Sequence, residues 1–175
     1  LDKITVTIPT LNEETNIKKC IQSIKKCGIK KIIVIDGGST DNTLEIISKF
    51  KDVKCIKVNK KGLAFQRMLG VKKSKTEFTA LIDADMRPTK RSFQKMLNDL
   101  VKNNYAGVEA FIISDRSENY FEKSYQEIMN ININKLGPRR MIWTPTLWYT
   151  KILKKNNFDP FFTGPSDDTD FCYRI

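Results

Sequence analysis

Short apolar segments alternate along the chain with longer segments whose apolar residues recur every three or four positions. Residues 4–8 alternate between apolar and polar side chains, which predicts a strand that ends at Pro9. The next apolar residues share the spacing of one helix face: Ile17, Cys20, Ile21 and Ile24. The β-branched run at 32–35 predicts a strand that is buried on both faces.

This alternation of strand and helix continues to residue 112. Further strands are predicted at 53–58, 78–82 and 108–112, and further helices at 44–50, 64–71 and 93–101. Regular βαβ units form parallel sheets that helices cover on both faces, so we expect an α/β fold, a three-layer α/β/α sandwich with a mainly parallel central sheet. Beyond residue 114 the periodicity weakens to one helix around 121–129 and a loop-rich, aromatic stretch at 137–163.

Polar and acidic clusters stand where the predicted strands end. They occupy residues 9–14, 36–41 and 83–85, and a fourth acidic cluster occupies 167–170. Because the carboxyl ends of parallel strands share one edge of the sheet, we expect the first three clusters to meet in one cleft.

Asp83 and Asp85 would repel each other in that cleft unless a cation lay between them. A divalent cation held for a phosphate-bearing substrate would supply the charge. A solvated turn before Pro88 accounts for the pair by itself, but it does not account for the convergence of three clusters.

Charge and composition narrow the choice of partner. The 175 residues carry 31 Lys and Arg against 20 Asp and Glu, a formal net charge of +11, which suits a nucleotide, a lipid pyrophosphate, a phospholipid surface or nucleic acid. Lysines that merely solvate a helix, or lysine enrichment in an A/T-rich genome, explain the excess equally well. The chain has no histidine, so acid–base and metal chemistry must rest on carboxylates.

The cysteines and the apolar runs indicate the compartment. The four cysteines show no Cys-x-x-Cys spacing, and three of them lie within apolar patterns as small buried residues. With no apolar stretch typical of a secretion signal, we expect a reduced, cytoplasmic setting. No apolar run reaches the ~20 residues that span a membrane. The first and last residues, Leu1 and Ile175, suggest a domain excised from a longer protein.

Four segments, in this order, resemble the family 2 glycosyltransferases, nucleotide-sugar-dependent enzymes with the GT-A fold. They read ITVTIPTLNEE, IIVIDGGSTDNT, KKGLAFQRMLGVKKSKTEFTALIDADMRP and FFTGPSDDTDFCYRI. The match is weakest between Ser114 and Asp159. The resemblance implies a single GT-A domain over 1–175, with a nucleotide-sugar-binding half at 1–113 and an acceptor-side half at 114–175. Because the family usually continues past the last segment, it also implies truncation at the carboxyl terminus.

The same resemblance implies a set of residues that bind the nucleoside. The residues around the nucleoside and its ribose are Pro9, Thr10, Leu11 and Glu13. Asp36 accepts hydrogen bonds from the base, although the family's following Asp-Gly is replaced here by two glycines. The alternative for Asp36 is a turn that caps a helix.

The resemblance also assigns Asp83, Ala84 and Asp85 to the diphosphate end of a UDP- or GDP-sugar. Asp85 would coordinate Mn²⁺ or Mg²⁺ directly, and Asp83 would bind ribose hydroxyls or a metal-bound water. Arg67 would steady the nucleotide or these carboxylates, although Met68 follows it where the family has Asn; the alternative is an exposed helix arginine. The coordination chemistry of Mn²⁺ and Mg²⁺ supports this assignment. Both cations prefer oxygen ligands and typically bind one or two protein carboxylates beside phosphate oxygens.

An inverting transfer needs a carboxylate that removes the proton from the acceptor hydroxyl. The cluster at 167–170 corresponds to the family's Glu-Asp-x-Asp segment, so we expect Asp168 as the base, Asp167 as the second choice and Asp170 as a cap at the helix start. Three carboxylates within four residues raise the pKa of at least one of them. The alternative is an ordinary acidic helix N-terminus, which the macrodipole favours.

Two further features each have two explanations. The aromatic residues ahead of the acidic cluster either stack on sugars or pack a small subdomain: Trp143, Trp148, Tyr149, Phe158, Phe161 and Phe162. The basic loop at 137–140 either clamps a phosphate or is an ordinary surface loop.

The leading hypothesis is a metal-dependent, inverting glycosyltransferase that acts on a hydroxyl of a glycan, polysaccharide or lipid-linked acceptor. The charge and the family's acceptors suggest a location at the cytoplasmic face of an anionic membrane. A sugar-phosphate nucleotidyltransferase is the alternative enzyme, but its glycine-rich phosphate loop is absent from residues 9–12.

A basic module that binds nucleic acid or an anionic membrane is the non-enzymatic alternative. The strand-end carboxylates would repel nucleic acid, so we expect none as a partner. An inactive domain of the same family is the third possibility.

Overall fold

The architecture comes from a computed structural model that describes residues 1–59, 62–113, 123–124, 127–128, 130, 137, 144–162 and 167–175. The strands are β1 Ile4–Thr10, β2 Lys31–Asp36, β3 Val53–Lys57, β4 Phe78–Leu81, β5 Gly107–Glu109 and β6 Thr146–Tyr149. The helices are numbered here as α1 Ile17–Lys26, α2 Thr43–Ser48, α3 Leu63–Lys73, α4 Lys90–Lys102, α5 Thr150–Lys155 and α6 Asp167–Tyr173.

Six strands form one sheet in the order β3-β2-β1-β4-β6-β5. β1 pairs in parallel with β2 and β4, and β2 pairs in parallel with β3. β6 runs antiparallel to both of its neighbours, β4 and β5. The predicted α/β fold with a mainly parallel sheet is therefore confirmed.

An apolar core lies on each face of this sheet. Ala80 and Leu147 belong to one core, with residues of α1, α2 and α4, whereas their neighbours Leu81 and Trp148 belong to the other, with residues of α3, α5 and α6. Successive residues of a strand point to opposite faces, so the two cores lie on opposite sides of the sheet. This gives the predicted three layers.

The prediction of a loop-rich stretch at 137–163 is wrong for 146–155, which form β6 and α5. Thr146, Leu147 and Trp148 are all buried, so the strand shows no alternation of apolar and polar residues. Of the helix predicted at 121–129, the described residues Lys123, Ser124, Glu127 and Ile128 are helical. Phe121, Tyr125 and Met129 lie outside the described residues.

The predicted end of β1 at Pro9 is also wrong, because the strand continues to Thr10. Pro9 faces β4, whose pairing with β1 has already ended at Thr7, whereas Thr10 still accepts a hydrogen bond from Gly37 on the other side. The missing N–H of proline therefore costs no ladder hydrogen bond. The strand therefore extends to the edge where the acidic clusters lie.

Gly107 of β5 lies directly beneath the indole of its cross-strand partner Trp148. A Cβ at residue 107 would lie 2.3 Å from a ring carbon of that indole. The glycine thus allows Trp148 to lie flat on the sheet and pack edge-on against Phe171 of α6, with ring centroids 5.1 Å apart.

Gly107→Ala should lower the free energy of unfolding by about 1–3 kcal/mol, because the indole must leave its place. Urea denaturation of the two proteins measures the difference. In a Trp148→Leu background the same substitution should cost less. An equal cost in both backgrounds would show that contact with the indole is not the cause.

Candidate active site

The loops that follow β1 and β2 are joined at the carboxyl edge of the sheet. The backbone N–H of Asn12 donates to the hydroxyl of Ser39 at 2.9 Å, and the N–H of Thr40 donates back to the Asn12 side chain at 2.8 Å. Two residues after Ser39, the carboxylate of Asp41 accepts a hydrogen bond from the backbone N–H of Glu14 at 3.1 Å. These bonds bring the first two predicted clusters together as one rim.

The residues predicted to line the nucleoside lie along this rim. Pro9 and Thr10 are buried, whereas Leu11 is 41% exposed. Glu13 is half-buried and accepts a hydrogen bond from the side-chain amide of Asn16 at 3.0 Å. Their contacts with a nucleoside stay a prediction.

Asp36 is fully buried at the end of β2, and its carboxylate shapes its own turn. One oxygen accepts the N–H groups of Gly38 and Ser39 at 3.0 and 3.1 Å, and the other accepts the hydroxyl of Ser39. This turn is not the helix cap that we gave as the alternative, because α2 begins only at Thr43. Recognition of a base by Asp36 stays a prediction.

Gln66 of α3 is a positioning residue that the sequence did not reveal. Its side-chain amide donates to the carbonyls of Thr10 and Ile35 at 2.8 and 2.7 Å, and so ties together the ends of β1 and β2. A Cβ at Gly37 would lie 3.1 Å from this amide. Glycine at position 37 permits this close approach.

The third loop, after β4, carries the predicted cation site. Asp83 is half-buried; one carboxylate oxygen accepts Arg67 at 3.2 Å and the other accepts the hydroxyl of Thr144. Ala84 is buried and Asp85 is exposed. Within the described part of the chain, no side chain or backbone group donates to the carboxylate of Asp85. One carboxylate of the pair is thus committed to protein contacts and the other is free.

Arg67 is buried, not the exposed helix arginine that we gave as an alternative. Its guanidinium donates to both oxygens of Asp167 at 2.8 and 2.9 Å, and the two side chains are only 5% and 3% exposed. Burial lowers the pKa of Arg67, but Asp83 and Asp167 outweigh it and raise the pKa overall. Arg67 therefore joins the loop after β4 to the start of α6.

The two candidate bases differ in their surroundings. Burial raises the pKa of the Asp167 carboxyl, and the Arg67 guanidinium offsets this only in part. Asp168 is half-buried and accepts the N–H of Thr169 at 2.8 Å. Asp167 thus faces the protein interior, whereas Asp168 is partly exposed. Which of them acts as the base stays a prediction. The expectation for Asp170 is wrong, because this residue lies inside α6 and pairs with Arg174 at 2.8 Å.

Arg87 is a second residue that the sequence did not reveal. It follows the Asp83–Asp85 segment and donates to the side chain of Asn16 at 3.0 Å, which in turn binds Glu13. A further neighbour, Cys20, donates weakly to the Asp83 carbonyl at 3.7 Å, and burial raises the pKa of its thiol to about 12. That thiol is therefore inert as a nucleophile.

The buried aromatics pack the core behind Arg67. Phe158 stacks on Phe171 at 4.9 Å, and both Trp148 and Phe158 are 3% exposed. Packing therefore explains these two residues, whereas Phe161 is 80% exposed. Trp143 and residues 138–140 of the basic loop lie outside the described residues.

The described residues contain no group of three or more Cys, Asp or Glu side chains that converge to hold a metal ion. A cation held by the described residues alone would have at most two carboxylate ligands, as is common where phosphate oxygens complete the coordination. No described helix is long and apolar enough to cross a membrane.

Solved structures with the same fold include two glycosyltransferases. TarS 1–349 of S. aureus, solved in complex with UDP-GlcNAc, superposes with a TM-score of 0.73 at 16% identity, over 99% of this chain and 53% of that one. Glucosyl-3-phosphoglycerate synthase of Mycobacterium tuberculosis, solved with Mn²⁺, UDP-glucose and phosphoglyceric acid, gives 0.70 at 18% identity, over 96% and 62%. These likenesses show the GT-A fold.

Sequence relatives extend the comparison. An uncharacterized protein of Methanocaldococcus jannaschii is 28% identical over 76% of this chain and 56% of its own length. The poly(ribitol-phosphate) beta-N-acetylglucosaminyltransferase TarP of Staphylococcus aureus is 30% identical over 59% of this chain and 35% of its own length. The chain thus spans only part of these relatives. The sequence profile of Glycosyl transferase family 2 matches residues 5–166, and the chain belongs to that family.

Proposed function

We propose that this chain is the donor-binding and catalytic part of an inverting glycosyltransferase that uses a nucleotide-diphosphate sugar and a divalent cation. The observation that carries the proposal is the division within the loop after β4. Asp83 is held by Arg67 and Thr144, while the Asp85 carboxylate is exposed with no partner among the described residues. A free carboxylate beside a fixed one, at the strand edge where α/β folds bind ligands, suits a cation shared with a diphosphate.

The candidate metal ligands suit Mn²⁺ or Mg²⁺. Every candidate ligand is a carboxylate oxygen, the type that hard cations prefer, and we assign Asp85 as the direct ligand, with Asp83 behind it. The cation, when bound, would neutralise charge on the departing diphosphate. Mn²⁺ in the complex of the mycobacterial synthase supports this assignment, as UDP-GlcNAc in that of TarS supports a UDP-sugar donor over a GDP-sugar.

The protein's own residues then supply position and proton transfer. The rim formed by the loops after β1 and β2 would hold the nucleoside against Pro9, Thr10 and Leu11, with Glu13 and Asp36 at its polar groups. Asp168 would take the proton from the acceptor hydroxyl as its oxygen attacks the anomeric carbon and the nucleoside diphosphate leaves. The acceptor is a hydroxyl of a glycan, polysaccharide or lipid-linked sugar. Residues 1–113 would form the donor half and 114–175 part of the acceptor half.

Asp85→Ala should abolish Mn²⁺-dependent binding of UDP. In thermal-shift measurements the unsubstituted chain should be stabilised by UDP with Mn²⁺ more than by UDP alone, and this increment should vanish in the variant. Hydrolysis of UDP-sugar donors should fall by about 10²-fold or more. Asp99→Ala, which removes a carboxylate from α4, should change neither. If Mn²⁺ still adds to the stabilisation by UDP in Asp85→Ala, the assignment of Asp85 as the metal ligand is wrong. If none of UDP, GDP, CMP and dTDP shifts the Tm of the unsubstituted chain, the proposal of a nucleotide-sugar donor is wrong.

Asp168→Asn and Asp167→Asn should fail in different ways. Loss of the base at 168 should lower transfer by about 10²- to 10⁴-fold while Tm and UDP binding stay unchanged. The change at 167 should lower the free energy of unfolding by about 3 kcal/mol, because it leaves Arg67 poorly compensated. Denaturation curves and turnover on the same samples separate the two. Full turnover in Asp168→Asn would exclude it as the base.

Arg67→Met should destabilise the protein more at pH 8 than at pH 5. Burial already raises the pKa of Asp167, and removal of the guanidinium raises it further above the unfolded value of about 3.9. A carboxyl with a raised folded-state pKa disfavours the fold increasingly as pH rises through that pKa. Arg91→Met, an exposed position on α4, should show no such dependence. Equal losses at both pH values would contradict the predicted coupling.

A further inference from the structure

The edge of the sheet where the parallel strands begin, opposite the candidate active site, is rich in lysine. This amino edge is defined here as residues 1–3, 25–31, 45–54, 72–77 and 102, where β1 to β4 begin and α1 to α4 end. It contains twelve lysines, no arginine and four acidic residues. It therefore holds eight of the chain's formal net charge of +11.

The four acids of the amino edge each neutralise one lysine. The pairs are Asp2–Lys30 at 3.2 Å, Glu45–Lys49 at 2.9 Å, Asp52–Lys25 at 2.5 Å and Glu77–Lys3 at 2.8 Å. Eight lysines are exposed and form no ion pair with any described residue: Lys26, Lys31, Lys51, Lys54, Lys72, Lys73, Lys75 and Lys102. The positive charge of this edge is thus largely uncompensated.

Helix ends account for only part of this charge. Lysine in the last turn of a helix is favoured by the macrodipole, which explains Lys26, Lys72, Lys73 and Lys102. The other four lie in connections and at strand starts, where no such effect acts: Lys31, Lys51, Lys54 and Lys75. They spread over four neighbouring strands, roughly 15 Å across at the usual strand spacing.

We infer that the amino edge binds the surface of an anionic phospholipid bilayer, with the cleft turned away from it. The charges are spread over four neighbouring strands and their connections, and lysine is a point charge that suits diffuse attraction to lipid headgroups. Val101 and Tyr105 are 53% and 42% exposed on either side of Lys102, and an apolar side chain and a tyrosine suit the interfacial region. Nucleic acid fits less well, because arginine, its bidentate reader, is absent from this edge. The inference is independent of the catalytic proposal.

Flotation with lipid vesicles tests this surface. The chain should float with vesicles of phosphatidylcholine and 30% phosphatidylglycerol in low salt, and should bind at least about tenfold more weakly in 0.5 M NaCl or with phosphatidylcholine alone. Binding that is equal with both lipids, or unchanged by salt, would overturn the inference. So would binding to a single-stranded oligonucleotide that exceeds binding to the anionic vesicles.

A quadruple variant locates the contact. Lys31→Gln, Lys51→Gln, Lys54→Gln and Lys75→Gln together should weaken vesicle binding by about tenfold or more. The matched control removes the same charge elsewhere through Lys18→Gln, Lys19→Gln, Lys95→Gln and Lys155→Gln, all exposed, and should weaken it far less. Equal losses in the two variants would show that net charge, not this edge, is responsible. Circular dichroism confirms that both variants are folded, and the salt and lipid series on the unsubstituted chain stands without them.

Discussion

The geometry of the candidate site depends on one buried side chain, the guanidinium of Arg67. Arg67 is 5% exposed, and its Nε finds no hydrogen-bond partner within the described residues. Removing a guanidinium from water costs several kcal/mol, which only close carboxylates offset. Asp167 and Asp83 provide that compensation from two different elements. The loop after β4 and the start of α6 are therefore held in one relative arrangement around Arg67.

This constraint matters most for α6, a helix of seven residues. A helix that short is not stable alone, and three acids in its first turn supply only a modest favourable interaction with the macrodipole. Two anchors hold it in place: the ion pair of Asp167 with Arg67, and the packing of Phe171 between Trp148 and Phe158. Because Asp167 is fixed inward, its neighbour Asp168 lies about 100° further round the helix and stays partly exposed. The buried member of the pair thus constrains the orientation of the other.

The sequence was sufficient for the parallel part of the fold, because strands with β-branched runs and helices with one apolar face leave periodic signals. It failed at β6, where Thr146 to Trp148 are all buried and no period exists to read. It also indicated which loops converge, since strand ends share an edge whatever their sequence separation. It could not reveal Gln66 or Arg87, because their hydrogen bonds join elements 31 or more residues apart through ordinary polar side chains. It ranked Asp168 above Asp167 only by resemblance, because the difference in their burial arises only when Arg67 packs beside one of them.

The sign of the charge around the cleft supplies an independent argument for a cation. Among the described residues, the loop after β4 and the start of α6 supply four carboxylates, those of Asp83, Asp85, Asp167 and Asp168. The described guanidiniums beside them are those of Arg67 and Arg87. Both guanidiniums are already engaged by protein groups, Arg67 by carboxylates and Arg87 by carbonyls and Asn16. A nucleoside diphosphate is itself an anion, so these carboxylates would repel it in the absence of a cation. A divalent cation bound by Asp85 would reverse the local sign, and donor and cation would then bind as one unit. The eight excess charges of the amino edge cannot substitute for it, because they lie at the far end of the strands, beyond the screening length of about 8 Å in physiological salt.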